Sequence, residues 1–412
     1  MKYFVDSQVV LFQAPEGPLV EQIRPFARSL REKGYAPISI HRQASVVTCF
    51  SRWLKQKGVA LHHVRADHCS RYLSYRARRM VPDSMDASSL KHLLEFLRRN
   101  GVIAAEKVTA PRLPSAERYA QGYERYLREV RALSEATIVY HMPFIRRFLT
   151  DRFGSLPVRL SRLSAHDVVR FVQQRAPHLH PKCARRLTGV LRSFLRYARY
   201  RGDVVLDLAA AVPAVANWSM PSIPRAIGAD QVRELLASIP RGTAIGRRDY
   251  AILLLLARLG LRAGEVAFLE LEDIDWDAGQ VNVRGKGGQQ SALPLPTDVG
   301  EAIAAYLYDG RPYSTNRRVF LRGRAPVRGF MTQAAIGSIV RHSLQRTGIQ
   351  APTRGAHQFR HALASQMLHH GASLKEIGEV LRHRRLQTTT IYAKVDLKAL
   401  RTLALPWPGG AR

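Results

Sequence analysis

The segment HQFRHALASQMLHHG, residues 357–371, decides how the rest of the chain is interpreted. Its pattern is typical of a helix on which His357 and Arg360 stand three residues apart and share one face. Together they offer imidazole and guanidinium donors suited to a phosphate. An ordinary helix surface would accommodate the same two residues, so the neighbouring segments must settle the choice.

The following segment, LRHRRLQTTTIYAKVD at residues 381–396, carries His383 nine positions before Tyr392. A single buried tyrosine is usually a core residue with a satisfied hydroxyl group. Neither residue would justify a functional claim by itself.

An earlier segment, LGLRAGEV at residues 259–266, places Arg262 and Glu265 one helical turn apart. A surface ion pair would be an adequate account of that spacing. The segment follows an apolar stretch from Arg248 to Leu261, which predicts a buried helix that Gly260 could end.

Between these segments, QVNVRGKGGQQSALPLP at residues 280–296 predicts a β-hairpin. Two extended runs, Gln280 to Arg284 and Ser291 to Leu295, flank a glycine-rich turn that contains Lys286. The glycines would let the backbone approach a partner closely, and a simple tight turn is the equally available interpretation.

The N-terminal half contains an internal duplication with an offset near one hundred residues. Three aromatic positions correspond between the copies: Trp53 with Phe148, Tyr72 with Phe171, and Phe96 with Phe194. Apolar residues recur at three- and four-residue steps, so each copy predicts a bundle of about four amphipathic helices with basic residues between the apolar stripes.

A Pro- and Ala-rich stretch, residues 208–224, predicts a linker after the second copy. Beyond it, Asp230 is expected to cap the helix that contains QVRELLASI. The expected domains are therefore two bundles at 1–105 and 112–207, the linker, and a C-terminal domain at 225–412.

The charge of the chain indicates a polyanionic partner. Lys and Arg number 64 against 32 Asp and Glu, a formal net charge of +32. Nucleic acid is the commonest partner of such a protein. Genome base composition could explain why Arg outnumbers Lys, but not the shortage of acid.

The remaining composition excludes several other classes. Three cysteines, Cys49, Cys69 and Cys183, lack CxxC spacing, so neither a disulfide framework nor a thiolate zinc site is expected. The histidines near Cys69 (His62, His63 and His68) also lack a metal-ligand spacing, and we expect no metal. No signal peptide or membrane span is indicated, which favours a cytoplasmic protein.

The order of these segments resembles the tyrosine recombinase (integrase) family: Arg, hairpin Lys, His-x-x-Arg, His and Tyr, after two basic helical bundles. The resemblance covers the chain from about Arg225 and, more loosely, residues 112–207, which resemble the family's core-binding DNA clamp. It implies a mainly α fold with two tandem SAM-like bundles and a mostly helical catalytic domain containing a small antiparallel sheet.

The resemblance implies roles for six catalytic residues and one supporting acid: Arg262, Lys286, His357, Arg360, His383 and Tyr392, supported by Glu265. Two fixed guanidinium forks, Arg262 and Arg360, would hold the non-bridging oxygens of a phosphodiester. Glu265 would orient Arg262 or brace the local fold.

The other implied roles concern proton transfer and attack. His357 and His383 would donate hydrogen bonds or move protons. Lys286 would protonate the departing 5′ oxygen, and Tyr392 would attack phosphorus to leave a 3′ phosphotyrosyl link. That link retains the energy of the broken strand, so neither ATP nor any other cofactor is expected.

The family also implies double-stranded DNA as partner and a homotetramer on two sites, a dimer per site, acting through a Holliday junction with or without companion recombinases. A nucleoid-associated enzyme of a mobile element is the favoured biological role. The tail with Leu397, Leu400, Leu403 and Trp407 is expected to pack on a neighbouring protomer.

Two features depart from the family pattern. Arg382 stands where a glycine usually precedes the later histidine, so the local turn is expected to differ. In the second hairpin strand, Gln289, Gln290 and Ser291 replace the more usual basic residues.

Two alternatives stay open. One is a type IB topoisomerase-like enzyme that nicks and closes DNA; the other is a DNA-binding regulator that kept the fold without catalysis. If Tyr392 were not the nucleophile, the next candidates would be Tyr306, Tyr308 and Tyr313.

Overall fold

The computed structural model describes residues 3–5, 9–11, 14–81, 83–104, 114–215, 226–285, 289–383 and 388–395. The chain divides into two compact units, one made of Met1–Ala105 and Pro221–Arg412 and the other of Glu106–Met220. The described residues are mainly helical with a small antiparallel sheet, so the predicted fold class is confirmed. None of the helices in these ranges is long and apolar enough to cross a membrane.

The first predicted bundle contains four α-helices within its described residues. They are α1 (Val20–Glu32), α2 (Pro37–Gln56), α3 (Ala66–Ala77) and α4 (Ser84–Arg99), preceded by the strand pair β1 (Tyr3–Phe4) and β2 (Val10–Leu11). Helix α2 begins at Pro37, whose fixed φ and missing N–H suit a first turn. In the core, Trp53 of α2 packs against Tyr72 of α3 with ring centroids 5.7 Å apart.

The second bundle repeats this order. Its described helices are α5 (Ser115–Glu129), α6 (Glu135–Phe153), α7 (Ala165–Arg175) and α8 (Pro181–Tyr200). Phe148 of α6 packs against Phe171 of α7 at 5.0 Å, the counterpart of the contact between the second and third helices of the first bundle. The two bundles therefore have the same order of four helices and a matching aromatic contact between the second and third.

The core of the second bundle continues past α8. Leu208, Ala209 and Val212 are buried with its other apolar residues. The first residues of the predicted linker therefore belong to the packed bundle.

The C-terminal part carries seven further described helices and a three-stranded sheet. The helices are α9 (Ala229–Ala237), α10 (Ala244–Arg258), α11 (Ala263–Ala267), α12 (Thr297–Asp309), α13 (Ala334–Thr347), α14 (His357–His369) and α15 (Leu374–Val380). The strands, β3 (Ile274–Asp275), β4 (Gln280–Arg284) and β5 (Gln290–Pro294), pair antiparallel in that order.

The predicted hairpin corresponds to β4 and β5. Val281 and Val283 of β4 are buried and alternate with exposed residues, as expected of a strand with one face on the core. Strand β3 escaped prediction because two residues show no alternation. Lys286 lies outside the described residues.

Two helix starts differ from expectation. Helix α9 is capped by Gly228, whose N–H donates to the side chain of Gln231 over 2.9 Å, while Asp230 lies in the first turn. Helix α10 begins at Ala244 rather than Arg248, because the Thr243 hydroxyl accepts a hydrogen bond from the N–H of Gly246 at 3.0 Å. Asp230 is therefore not the cap, since an earlier residue fills that position.

Gly260 lies between α10 and α11, where φ is +57°. A Cβ atom there would approach the side chains of Leu381 and Leu363 to 2.8 and 3.0 Å. Both the backbone conformation and the close approach therefore require glycine. The turn at this point lies against α14, because Leu363 and Arg360 of that helix both approach Gly260.

Candidate active site

Four segments of the C-terminal part bring their polar side chains together. The start of α11 supplies Arg262 and Glu265, and α14 supplies Arg360 with its neighbours. The turn after α15 supplies Arg382 and His383. A 3-10 turn at Thr390–Val395 supplies Tyr392.

Glu265 organises two of the arginines. Its carboxylate accepts hydrogen bonds from the N–H of Arg262 at 2.8 Å, from Nη1 of Arg262 at 2.6 Å and from Nη2 of Arg382 at 2.8 Å. Burial raises the pKa of Glu265, but the hydrogen bonds and charges of the two arginines outweigh it and hold the net pKa below its usual value. The carboxylate is therefore ionised at neutral pH and fixes both guanidinium groups.

Arg360 is buried and is held by backbone carbonyls. Nη1 donates to the carbonyl of Gly260 at 2.7 Å, and Nη2 donates to the carbonyl of Leu381. Burial, and then the charges of Arg262 and Arg382, lowers the pKa of Arg360 to about 10, so the group stays cationic at neutral pH. Among the described residues it forms no ion pair with a carboxylate.

Arg382 has a left-handed backbone, with φ at +54°, a conformation that glycine adopts without strain. Its carbonyl accepts a hydrogen bond from Nη2 of Arg262 at 3.2 Å, and its own Nη2 binds Glu265. Its Nη1 is buried and has no hydrogen-bond partner among the described residues. Arg262 and Arg382 thus share the carboxylate of Glu265, and Arg360 adds a third positive charge. This leaves a net positive site suited to an anion.

Tyr392 lies in a small apolar cluster with Ala364, Ile377 and Leu381, and only 1% of its surface is exposed. Burial raises the pKa of the phenol above its usual value, although the charge of Arg360 acts in the opposite direction. The hydroxyl group is therefore protonated at neutral pH.

The Tyr392 hydroxyl group lies 2.9 Å from Nδ1 of His361. The ring of His383 lies nearly parallel to the phenol, with centroids 6.4 Å apart. Two imidazoles therefore lie beside the phenol, and that of His361 contacts its hydroxyl group.

The two predicted histidines occupy different surroundings. Nδ1 of His383 bonds the hydroxyl group of Thr389 at 2.7 Å, and burial together with Arg360 and Arg262 lowers the pKa of His383 to about 4. His357 begins α14, is exposed, and has its pKa lowered by desolvation and then by Arg360 and Arg262. Both imidazoles are neutral at pH 7, so each has one N–H to donate.

A polar cavity of about 720 Å³ opens at this cluster. Its lining combines β5, α15 and the turns around them, and includes Gln289, Ser291, Lys375, Arg382, His383 and Thr389. Within the described ranges, no group of three His, Cys, Asp or Glu side chains is arranged to hold a metal ion. The arrangement is suited to an extended anion rather than to an apolar ligand.

The structure gathers five of the six predicted catalytic residues together with Glu265, while Lys286 is outside the described ranges. The alternative tyrosines lie elsewhere: Tyr306 is in the main core, where its hydroxyl accepts a hydrogen bond from the N–H of Leu321, and Tyr308 and Tyr313 are almost fully exposed. Sequence reasoning missed His361, although its spacing of four from His357 put it on the same helix face.

Comparison with known proteins agrees with this geometry. Residues 225–398 match the model of the phage integrase family. The chain is 56% identical over its full length to all of the Sinorhizobium fredii (strain NBRC 101917 / NGR234) protein named integrase/recombinase y4rA. It is 30% identical to tyrosine recombinase XerD of Mycobacterium tuberculosis (strain ATCC 25618 / H37Rv), covering 70% of this chain and 96% of XerD.

The fold is similar to that of the XerH site-specific recombinase in a post-cleavage complex with difH DNA. The TM-score is 0.55 with 18% identity, covering 70% of this chain and 84% of that one. Fold and relatives together define an enzyme of genetic recombination. More narrowly, the chain belongs to the tyrosine recombinase family.

Proposed function

We infer that this recombinase cleaves and rejoins DNA strands at specific sites through a 3′-phosphotyrosyl intermediate, with Tyr392 as the nucleophile. The observation that carries the proposal is the buried phenol of Tyr392, which lies beside two imidazoles. It is also close enough to the guanidinium group of Arg360 for that charge to oppose the rise in pKa that burial causes. A phosphate bound by the arginines would lie near this hydroxyl.

The chemistry follows from these groups. The Tyr392 oxygen forms a bond to phosphorus while the bond from phosphorus to the 5′ oxygen breaks. Arg262 and Arg360 stabilise the charge that develops on the non-bridging oxygens, and His357 and His383 donate further hydrogen bonds. The family resemblance assigns Lys286 to protonate the 5′ oxygen. Attack of a new 5′ hydroxyl on the phosphotyrosine reverses the step without ATP.

Double-stranded DNA is the proposed substrate, gripped by the two basic bundles. Helix α8 contains no acidic residue and exposes five basic side chains: Lys182, Arg185, Arg186, Arg196 and Arg199. Such a surface binds phosphates with little regard to sequence. Four protomers on two sites, joined through a Holliday junction, would complete strand exchange, and the proposed biological role is movement of a mobile element.

A suicide substrate tests the nucleophile. Duplex carrying the cognate site, recovered by selection from random DNA and nicked beside the cleavage position, should trap a covalent adduct with the wild-type chain. Tyr392→Phe should abolish the adduct and leave DNA affinity unchanged, because only the attacking oxygen is lost. Tyr313→Phe, at a fully exposed position, is the matched control and should react normally. An undiminished adduct in Tyr392→Phe would disprove the assignment.

A further inference from the structure

We propose that His361 is the proton acceptor for Tyr392, taking the phenolic proton as the oxygen attacks phosphorus. This inference rests on the proposed phosphotyrosyl chemistry and adds a catalytic group to it. His361 contacts the reacting atom itself, through the 2.9 Å hydrogen bond between Nδ1 and the Tyr392 hydroxyl group.

The contact is built into the fold. His361 follows Arg360 in α14, and its ring lies edge-on to the Tyr392 phenol, with centroids 5.6 Å apart and planes at 61°. The phenol is fixed from the other side by the apolar cluster of Ile377 and Leu381. The N–H of Tyr392 also donates to the carbonyl of Thr389 at 3.0 Å, which sets the position of the 3-10 turn.

The chemistry requires an acceptor, because a buried phenol cannot ionise unaided near neutral pH. Among the described residues, His361 makes the hydrogen bond to the phenolic hydroxyl group, and His357 makes none with it. The remaining groups are occupied or unsuited. Nδ1 of His383 bonds Thr389, the carboxylate of Glu265 bonds two arginines, and a guanidinium group accepts no proton.

His361 has the protonation state that an acceptor needs. Burial, and then the charges of His357 and Arg360, lowers the pKa of His361 below its usual value. The imidazole is therefore neutral at pH 7. In the tautomer that the proposal requires, Nε2 carries the proton and Nδ1 accepts the hydrogen bond from the phenol.

The proton balance is complete in both directions. During cleavage the oxygen–phosphorus bond to Tyr392 forms, the bond to the 5′ oxygen breaks, and the phenolic proton moves to Nδ1 of His361. The 5′ oxygen takes a proton from the acid of the proposed function. During resealing, the 5′ hydroxyl returns its proton to the deprotonated acid as its oxygen bonds to phosphorus. The bond from phosphorus to Tyr392 breaks, and the imidazolium of His361 returns its proton to the departing phenolate.

Substitution of His361 by Asn and by Ala tests the proposal. In the His361→Asn variant, the side-chain Oδ1 can still accept the hydrogen bond from the phenol but cannot take its proton. In the His361→Ala variant, the side chain can neither accept the hydrogen bond nor take the proton. Single-turnover cleavage of the suicide duplex should fall by about 10²- to 10⁴-fold in both variants. DNA affinity and thermal melting, measured alongside, should stay close to wild type. His369→Asn, at an exposed position at the end of the same helix, is the control.

The pH dependence adds a second readout that needs no variant. Since His361 must be neutral, the wild-type rate should fall as the pH drops below the ordinary histidine value of about 6.5. The groups around it are His357 and Arg360 on α14, His383 after α15, and Tyr392 itself. In the His361→Asn variant, the part of this fall in rate at low pH that comes from protonation of His361 should disappear.

Three outcomes would overturn the proposal. A wild-type rate in His361→Asn would make His361 a positioning residue only. Faster cleavage in His361→Ala would make it a latch that holds the tyrosine back. A wild-type rate that does not fall over the whole acid range in which the protein stays folded would remove the acceptor role even if both variants failed to fold. Failure of the proposed function is distinct, because the wild-type chain would then form no adduct at Tyr392.

Discussion

The arginines of helix α8 and those of the active site carry the same charge but lie in opposite surroundings, exposed in α8 and enclosed in the site. In α8 the guanidinium groups are exposed; Arg185 and Arg196 form no ion pair among the described residues, and Arg199 faces Asp207 across 3.2 Å at the surface. In the site, Arg360 is 3% exposed and is bound by two backbone carbonyls. The first arrangement attracts a polyanion, whereas the second fixes where one phosphate can bind.

The two arrangements differ in their energetics. Exposed ion pairs contribute about 0–1 kcal/mol, and their charges are screened by salt. Burying a guanidinium group costs several kcal/mol, which hydrogen bonds must offset. The carbonyls of Gly260 and Leu381 do so for Arg360 without neutralising it. The positive charge of Arg360 is therefore not neutralised by a hydrogen-bonding partner and is suited to a bound phosphate.

Among the variants that test this comparison, Arg360→Lys should show the largest effect, a slower rate of cleavage. An ammonium group cannot reproduce the planar fork that reaches two carbonyls and a phosphate together. We expect cleavage of the suicide duplex to slow by about 10²- to 10³-fold, the loss typical of one oxyanion donor. Arg341→Lys, on the exposed surface of α13, should cleave normally. Equal cleavage rates for the two variants would show that a buried, hydrogen-bonded arginine contributes no more to the reaction than an exposed one.

Removing exposed charge from α8 should change binding instead of chemistry. The double variant Arg185→Ala with Arg196→Ala should weaken DNA binding and reduce the slope of log affinity against log salt by about 2. Arg128→Ala is the control, because that charge is already paired with Glu124 and Glu135. Cleavage at saturating protein should not change. An unchanged slope in the double variant would show that α8 does not contact phosphates.

The smallest expected effect concerns the strained arginine of the site. Arg382→Gly and Arg382→Ala both lose the bond to Glu265, but only alanine retains the left-handed strain. Urea unfolding should therefore find the alanine variant less stable than the glycine variant by about 1 kcal/mol. Gly337→Ala in α13, where a Cβ meets nothing within 4 Å, should instead stabilise the chain. Equal stability of the two Arg382 variants would show that the turn is not strained.

Local patterns in the sequence predicted much of this structure. Two extended runs around a glycine-rich turn predicted the hairpin, and the apolar spacing of the two copies predicted their helices. The order of Arg262, His357 and Tyr392 predicted which side chains would meet. These features depend on periodicity or motif order, both of which are visible in a linear sequence.

The parts that escaped prediction depend on contacts between distant segments. His361 contacts Tyr392 only because the turn carrying that tyrosine, thirty-one positions later, packs on α14. The left-handed Arg382 is held by Glu265 from α11, a partner that no local pattern indicates. The cap of α9 is a local exception: Gly228 occupies that position, and its N–H donates to the side chain of Gln231 three residues later.

Mapping the covalent attachment point tests the central claim most directly. The adduct formed by the wild-type chain on a nicked cognate duplex can be digested with trypsin and nuclease, and the peptide carrying the residual nucleotide identified by mass spectrometry. We predict the added mass on peptide 386–394, LQTTTIYAK, with the phosphoester on Tyr392. A nucleotide attached to Tyr306, Tyr308 or Tyr313, or strand cleavage with no attached peptide, would contradict the account.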